Sequence, residues 1–196
     1  AIIFSLNDRT STRLIRVQER TTDLEKIALT NSLSRKISNK ELTIDEAKSE
    51  FIHLQHASLQ YSFLTNFFAA AIACGFFLFM FGGVASDCWI AVIAGGSAFL
   101  TFSFVQRYIQ IKFFSEFVAA AVVISIAATF TKLGIATNQD IITIASVMPL
   151  VPGILITNAI RDLLAGELLA GMSRGVEAAL TAFAIGAGVA IVLLII

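Results

Sequence analysis

The sequence predicts an all-α polytopic membrane protein, with about five transmembrane helices preceded by a small, partial α/β cytoplasmic region. Three observations predict it. Of 196 residues, 57% are apolar and 14% charged, whereas an ordinary soluble domain has about 25% charged residues. The charge is also uneven, because residues 1–60 hold nine basic and eight acidic side chains while 61–196 hold five and six. Beyond Tyr61 the chain becomes a series of long apolar runs separated by short polar stretches.

The first part, 1–60, reads as the end of a small α/β domain. AIIFSL and RTSTRLIRVQ have the composition of short strands. The opening AIIFSLNDR lacks an initiator Met and its apolar stretch is too short for a signal-peptide core, so a start inside a longer protein is the expectation. Two helices follow, each with a start signal: Thr22 with Glu25 and Thr43 with Glu46 are capping boxes. Ile44, Ala47, Phe51 and Leu54 then share one face of the second helix, and Leu29, Leu33 and Ile37 align along the first. His53 and His56 are three apart, but no carboxylate or Cys cluster completes a metal site, so they read as surface residues.

The transmembrane domain, 61–196, has spans near 63–83, 89–105, 116–133, 141–157 and 175–196. At 1.5 Å per residue a run such as Phe63 to Gly83 extends about 31 Å, close to the hydrocarbon thickness of a bilayer. Asp87 and Glu116 fall at span ends, where a charge meets water. Cys74 and Cys88 lack disulfide or zinc spacing and read as packing residues. Gly82, Gly83, Gly95 and Gly96 suit close helix approach around the second span. With the amino-terminal region in the cytoplasm, Arg107, Lys112, Arg161 and Arg174 share its side and only Lys132 lies opposite.

Both prolines of the chain, Pro149 and Pro152, lie in one membrane-depth stretch. They remove helical N–H groups, so the carbonyls of Ala145 and Met148 lose their usual donors, and Gly153 loosens the backbone further. A broken helix at this depth is tolerated where protein or a water-filled cavity supplies partners, as in transporters whose half-helices hold a ligand. The polar chemistry follows immediately: Thr157, Asn158, Arg161, Asp162, Glu167, Arg174 and Glu177. Asn158 and Asp162 share a helix face with Gly166 next in line. Arg161 suits a substrate carboxylate, while Asp162, Glu167 and Glu177 can exchange protons. Arg174 and Glu177, three apart, are candidates to pair. Two readings of 158–173 stay open: a polar helix lining a path, or a cytoplasmic loop helix with its charges solvated.

Gly171 and Gly175 form a GxxxG step continued by Ala179, and Ala182, Gly186 and Ala190 repeat at the same spacing, as helix packing uses. Asp140, after Thr137 and Asn138, reads as a turn or cap residue. The cancelling charges give no attraction to nucleic acid. No GxSxG, no HExxH and no His beyond His56 occur, so an enzyme is not expected, nor a cofactor or metal.

The stretch PLVPGILITNAIRDLLAGELLAGMSRGVEAAL resembles the conserved membrane motif of the threonine/serine exporter family, and DLEKIALTNSLSRKISNKELTIDEAKSEF is similar to the cytoplasmic region preceding it. Within that family the chain looks like the larger component of a two-component exporter. The resemblance places Pro152, Gly153, Asn158 and Asp162 on motif positions. It implies a transporter in a prokaryotic cell membrane, moving threonine, serine or dicarboxylates such as succinate outward. The partners it implies are the lipid bilayer, a small carboxylate-bearing substrate and a second small multispanning subunit, with homo-oligomerisation open. A scaffold subunit packing against a separate conducting partner is the competing reading.

Overall fold

The computed structural model describes residues 2–6, 9–13, 24–56, 61–109, 111 and 113–196. Its contacts divide into two units, Ala1–Tyr61 and Ser62–Ile196.

In the first unit β1 (Ile2–Leu6) and β2 (Arg9–Arg13) pair antiparallel, with Leu6 opposite Arg9 and Ile2 opposite Arg13. The β-branched Ile2, Ile3, Thr10 and Thr12 suit this extended backbone. The strand expected through Leu14–Val17, and Thr22 of the first capping box, lie outside the described residues. Helices α1 (Leu24–Ser38) and α2 (Ile44–His56) follow. The second box forms as expected: the Thr43 N–H donates to the Glu46 carboxylate at 2.9 Å, and the Glu46 N–H donates to Thr43 Oγ1 at 3.4 Å. The Thr43 N–H, with its hydroxyl, holds the Glu46 carboxyl below its usual range. Leu33 and Ala47 are the buried contacts, and Lys36 reaches Glu50 at 3.2 Å beside them. Ile44 and Phe51, expected on one face with Ala47, stand 88% and 53% exposed. A seam between two helices covers only a strip of each.

The second unit comprises α3 (Phe63–Met80), α4 (Cys88–Tyr108), α5 (Phe114–Lys132), α6 (Gln139–Val147), α7 (Gly153–Leu164) and α8 (Leu168–Ile195). Among the described residues, four helices are long and apolar enough to cross a membrane, and α6 with α7, counted as one bent span, would make five. The short α6 is the centre: it packs on α3, α4 and α5, whereas α8 lies along α5 and α7 packs on α8. Leu78, Ile90, Ile124 and Ile142 are fully buried. Phe68, Phe76, Phe79 and Phe104 point outward, as residues facing lipid do.

Small residues let these helices approach. At Gly95 a Cβ would collide with Cys74, and at Gly96 it would press on the Phe67 ring at 3.2 Å. Cys74 is buried and its thiol lies 3.7 Å from the Ser146 carbonyl, and neither cysteine is in a disulfide. The α5–α8 contact depends on Gly188, where a Cβ would strike the Phe117 carbonyl, and Gly186, expected to serve helix packing, takes no part in that contact. Gly186 is exposed with open space where its side chain would be. Two residues along a helix turn about 200°, which puts Gly186 and Gly188 on nearly opposite faces.

Two anchors orient α8. Gly188 sits on Phe117 near the start of α5, and Lys132 at the other end donates its ammonium to the Ile196 carbonyl at 3.1 Å. The two helices therefore run in the same direction. Only the last part of α8 is matched to α5, and its first turns, from Leu168, run ahead to meet α7.

Candidate functional site

The nine residues of α6 span about 13 Å, less than half of a hydrocarbon layer roughly 30 Å thick. Its start is held from two sides. Asn138 Oδ1 accepts the Ile141 N–H at 3.2 Å, so Asn138, rather than the expected Asp140, is the cap. Asp87 then accepts the N–H groups of Thr137 and Asn138 at 3.1 Å. Asp87 is only 1% exposed, which corrects the expectation that its charge meets water. Three N–H contacts from a segment fifty residues away replace that water, and no local pattern announces so distant a partner. Farther along, Ser146 is fully buried and its hydroxyl donates to the Ala91 carbonyl at 3.2 Å.

The helix breaks where the prolines require it. Met148–Leu150 tightens into a 3-10 turn, in which the Val151 N–H reaches the Met148 carbonyl at 3.1 Å. That bond serves one of the two carbonyls expected to lose its donor. Val151 is extended, Pro152 caps α7, and the axis bends by 64°. Pro149 is exposed and Pro152 half-buried. Gly153 opens α7, exposed, with nothing within 4 Å of the place a Cβ would take.

Stretch 158–173 is not one helix. It contains the end of α7, a turn and the start of α8. Gly166 makes the turn at φ +84°, a backbone angle that a side chain disfavours, while the Glu167 N–H closes onto the Asp162 carbonyl at 2.9 Å. Gly166 therefore leaves the Asn158–Asp162 line instead of extending it. The hairpin is tight because Gly171 is bare: a Cβ there would lie 2.6 Å from Leu163 Cγ and 3.0 Å from the Ala159 carbonyl. Gly175 sits beside Ala159 at an ordinary 3.9 Å.

Across this seam the Arg174 guanidinium donates to the Asp162 carboxylate. The hairpin turn brings Asp162 to Arg174 from α7, a partner besides the Glu177 that the sequence offered three residues along α8. The two side chains are 38% and 20% exposed. Asn158 is half-buried on the same face as Asp162, whereas Arg161 is exposed on another. The Thr157 hydroxyl donates to the Gly153 carbonyl at 3.0 Å. Glu167 is exposed at the start of α8, and Glu177 is half-buried farther along it.

The structure thus gathers Asn158, Asp162 and Arg174, with Gly171 and Gly175 as the surface that lets them meet. Among the described residues no group of three or more His, Cys, Asp or Glu could hold a metal. His56's side chain lies outside the described residues. The chemistry available is binding by paired opposite charges beside a broken span.

A family model described as "Putative threonine/serine exporter" matches residues 1–196. No curated protein matches the chain, and no solved structure does.

Proposed function

The chain belongs to the threonine/serine exporter family, and from that premise we propose that the break between α6 and α7 and the α7–α8 hairpin form part of the substrate path. The family is one of membrane transporters, so the apolar helices reside in a bilayer. The observation that carries the path is the 64° break after the short, centrally packed α6. A half-helix that stops inside a bundle leaves backbone groups that lipid cannot serve, which favours a lined cavity at that level.

On this reading Arg161 and the exposed start of α7 at Gly153 draw in the substrate carboxylate, and Asn158 and Thr157 hydrogen-bond it. Asp162, Glu167 or Glu177 carries a coupling proton, making the transporter secondary active. The substrates are threonine and serine, with dicarboxylates such as succinate as the alternative cargo. The membrane is a prokaryotic plasma membrane with the amino-terminal unit in the cytoplasm, and a second multispanning subunit completes the path.

The test is accessibility. With a single cysteine at position 158, labelling from both membrane sides, blocked by threonine, is the expected result, together with reduced efflux of radiolabelled threonine by Asp162→Asn. One-sided labelling with unchanged efflux at every pH would overturn the path. That outcome would support a scaffold subunit, a reading favoured by the fact that Asp162 already has a partner in Arg174.

A further inference from the structure

We propose that the Asp162–Arg174 pair is the recognition element for a zwitterion: the substrate's ammonium takes Asp162, its carboxylate takes Arg174, and the pair re-forms when substrate leaves. This rests on the exporter reading and names the chemistry of its cargo. Asp162 comes from the last part of α7 and Arg174 from the first turns of α8. The pair thus joins two helices across a turn rather than bracing one. Both side chains are part-exposed, so a small molecule can reach them. Their charges sum to zero.

An α-amino acid has the same two charges on adjacent carbons. When it enters, one charge-assisted contact is exchanged for two, and the four charges still cancel. A dicarboxylate would instead set two negative charges against the pair, where Asp162 repels them and Arg174 is the one guanidinium of the pair. Like charge at close range repels strongly wherever water is partly excluded. The pair therefore selects amino acids over dicarboxylates, a choice that Arg161 alone could not make. Gly171 supports the geometry: without a side chain, it lets α7 approach α8 closely enough for the pair to form.

The experiment uses everted vesicles from cells co-expressing the protein with the second multispanning subunit proposed above, with uptake of radiolabelled threonine as the readout. Competitors are 2-aminobutyrate (a zwitterion), threoninol (an ammonium without a carboxylate) and succinate. In the unmodified protein only 2-aminobutyrate should compete well. Asp162→Asn leaves one net positive charge, so the inhibition ratio of succinate to threonine should rise at least about tenfold. Arg174→Gln should shift preference toward threoninol by a similar factor. The double variant Asp162→Asn, Arg174→Gln restores neutrality and separates the roles: a pair that only clamps the hairpin regains threonine uptake, whereas a recognition pair does not.

Unchanged competitor ranking in both single variants, or recovery in the double variant, overturns the proposal. A thermal-shift measurement on detergent-purified protein covers variants that bind but do not transport. There threonine should stabilise the unmodified protein and succinate the Asp162→Asn variant, and the same ligand preference in both would also overturn it. Unmodified vesicles that move no threonine would defeat the exporter reading itself, whereas threonine movement with an unchanged ranking defeats the proposal alone.

Discussion

Both carboxylate oxygens of Asp87 accept the backbone N–H of Thr137 at 3.1 Å, and one also accepts that of Asn138. The contact ties the short 3-10 turn before α4 to the approach of α6. It gives the central half-helix a fixed start, while its other end runs into the proline break. The anchored and interrupted ends of α6 are therefore set by different chemistry: a buried anion at one, missing donors at the other.

Removing that anion should loosen α6. Asp87→Ala leaves two N–H groups without their charged acceptor, and a loss of about 3 kcal/mol is expected. Asp87→Asn keeps the shape but turns a donor toward a donor, so it should recover only part. Thermal unfolding in detergent, with hydrogen exchange at Thr137 and Asn138, measures both. A stability equal to the parent's would show that the carboxylate is dispensable.

Gly186 and Gly188 should behave oppositely. Gly188→Ala forces a Cβ into the Phe117 carbonyl and should cost about 2 kcal/mol by overpacking. Gly186→Ala meets open space and should be neutral or stabilising by about 0.5 kcal/mol through helix propensity. Unfolding midpoints of the two variants decide it, and equal effects would place α8 in another rotation.

The prolines should control the bend. Restoring both donors by Pro149→Ala with Pro152→Ala should straighten α6 into α7 and reduce threonine efflux at least about tenfold, because the lined break disappears. Spin labels at the exposed positions 144 and 160 would read this directly. In a continuous helix they would lie about 24 Å apart along the axis, and the 64° bend shortens that distance. If the distance stays short, neighbouring helices rather than the prolines impose the break.

The cap on α2 should respond to acid. Hydrogen bonding to Thr43 lowers the Glu46 carboxyl from its ordinary 4.5. Its contribution is therefore fully present above that value and fades as pH falls through the lower, folded one. Following the Thr43 amide resonance during an acid titration should show the transition below 4.5, and Glu46→Gln should abolish it. A midpoint above 4.5 would contradict the hydrogen bonds.

Local patterns were legible because their partners lie within a turn or two. Thr43 and Glu46 are three residues apart, and Pro149 and Pro152 act on carbonyls four residues back. The apolar runs likewise declare their solvent by composition alone. Ile44 and Phe51 show the limit of such patterns, since periodicity says which residues share a side and not whether anything covers it.

The sequence by itself determined a membrane-spanning helical chain and the place of its break, because hydrophobicity, missing N–H groups and short-range caps act locally. Tertiary structure alone decided that Asp87 is buried, that Arg174 belongs to Asp162, and that Gly188 rather than Gly186 meets a neighbour. Each depends on which turn of one helix lies against which turn of another. That register is set by the collective packing of small side chains, and no single residue encodes it.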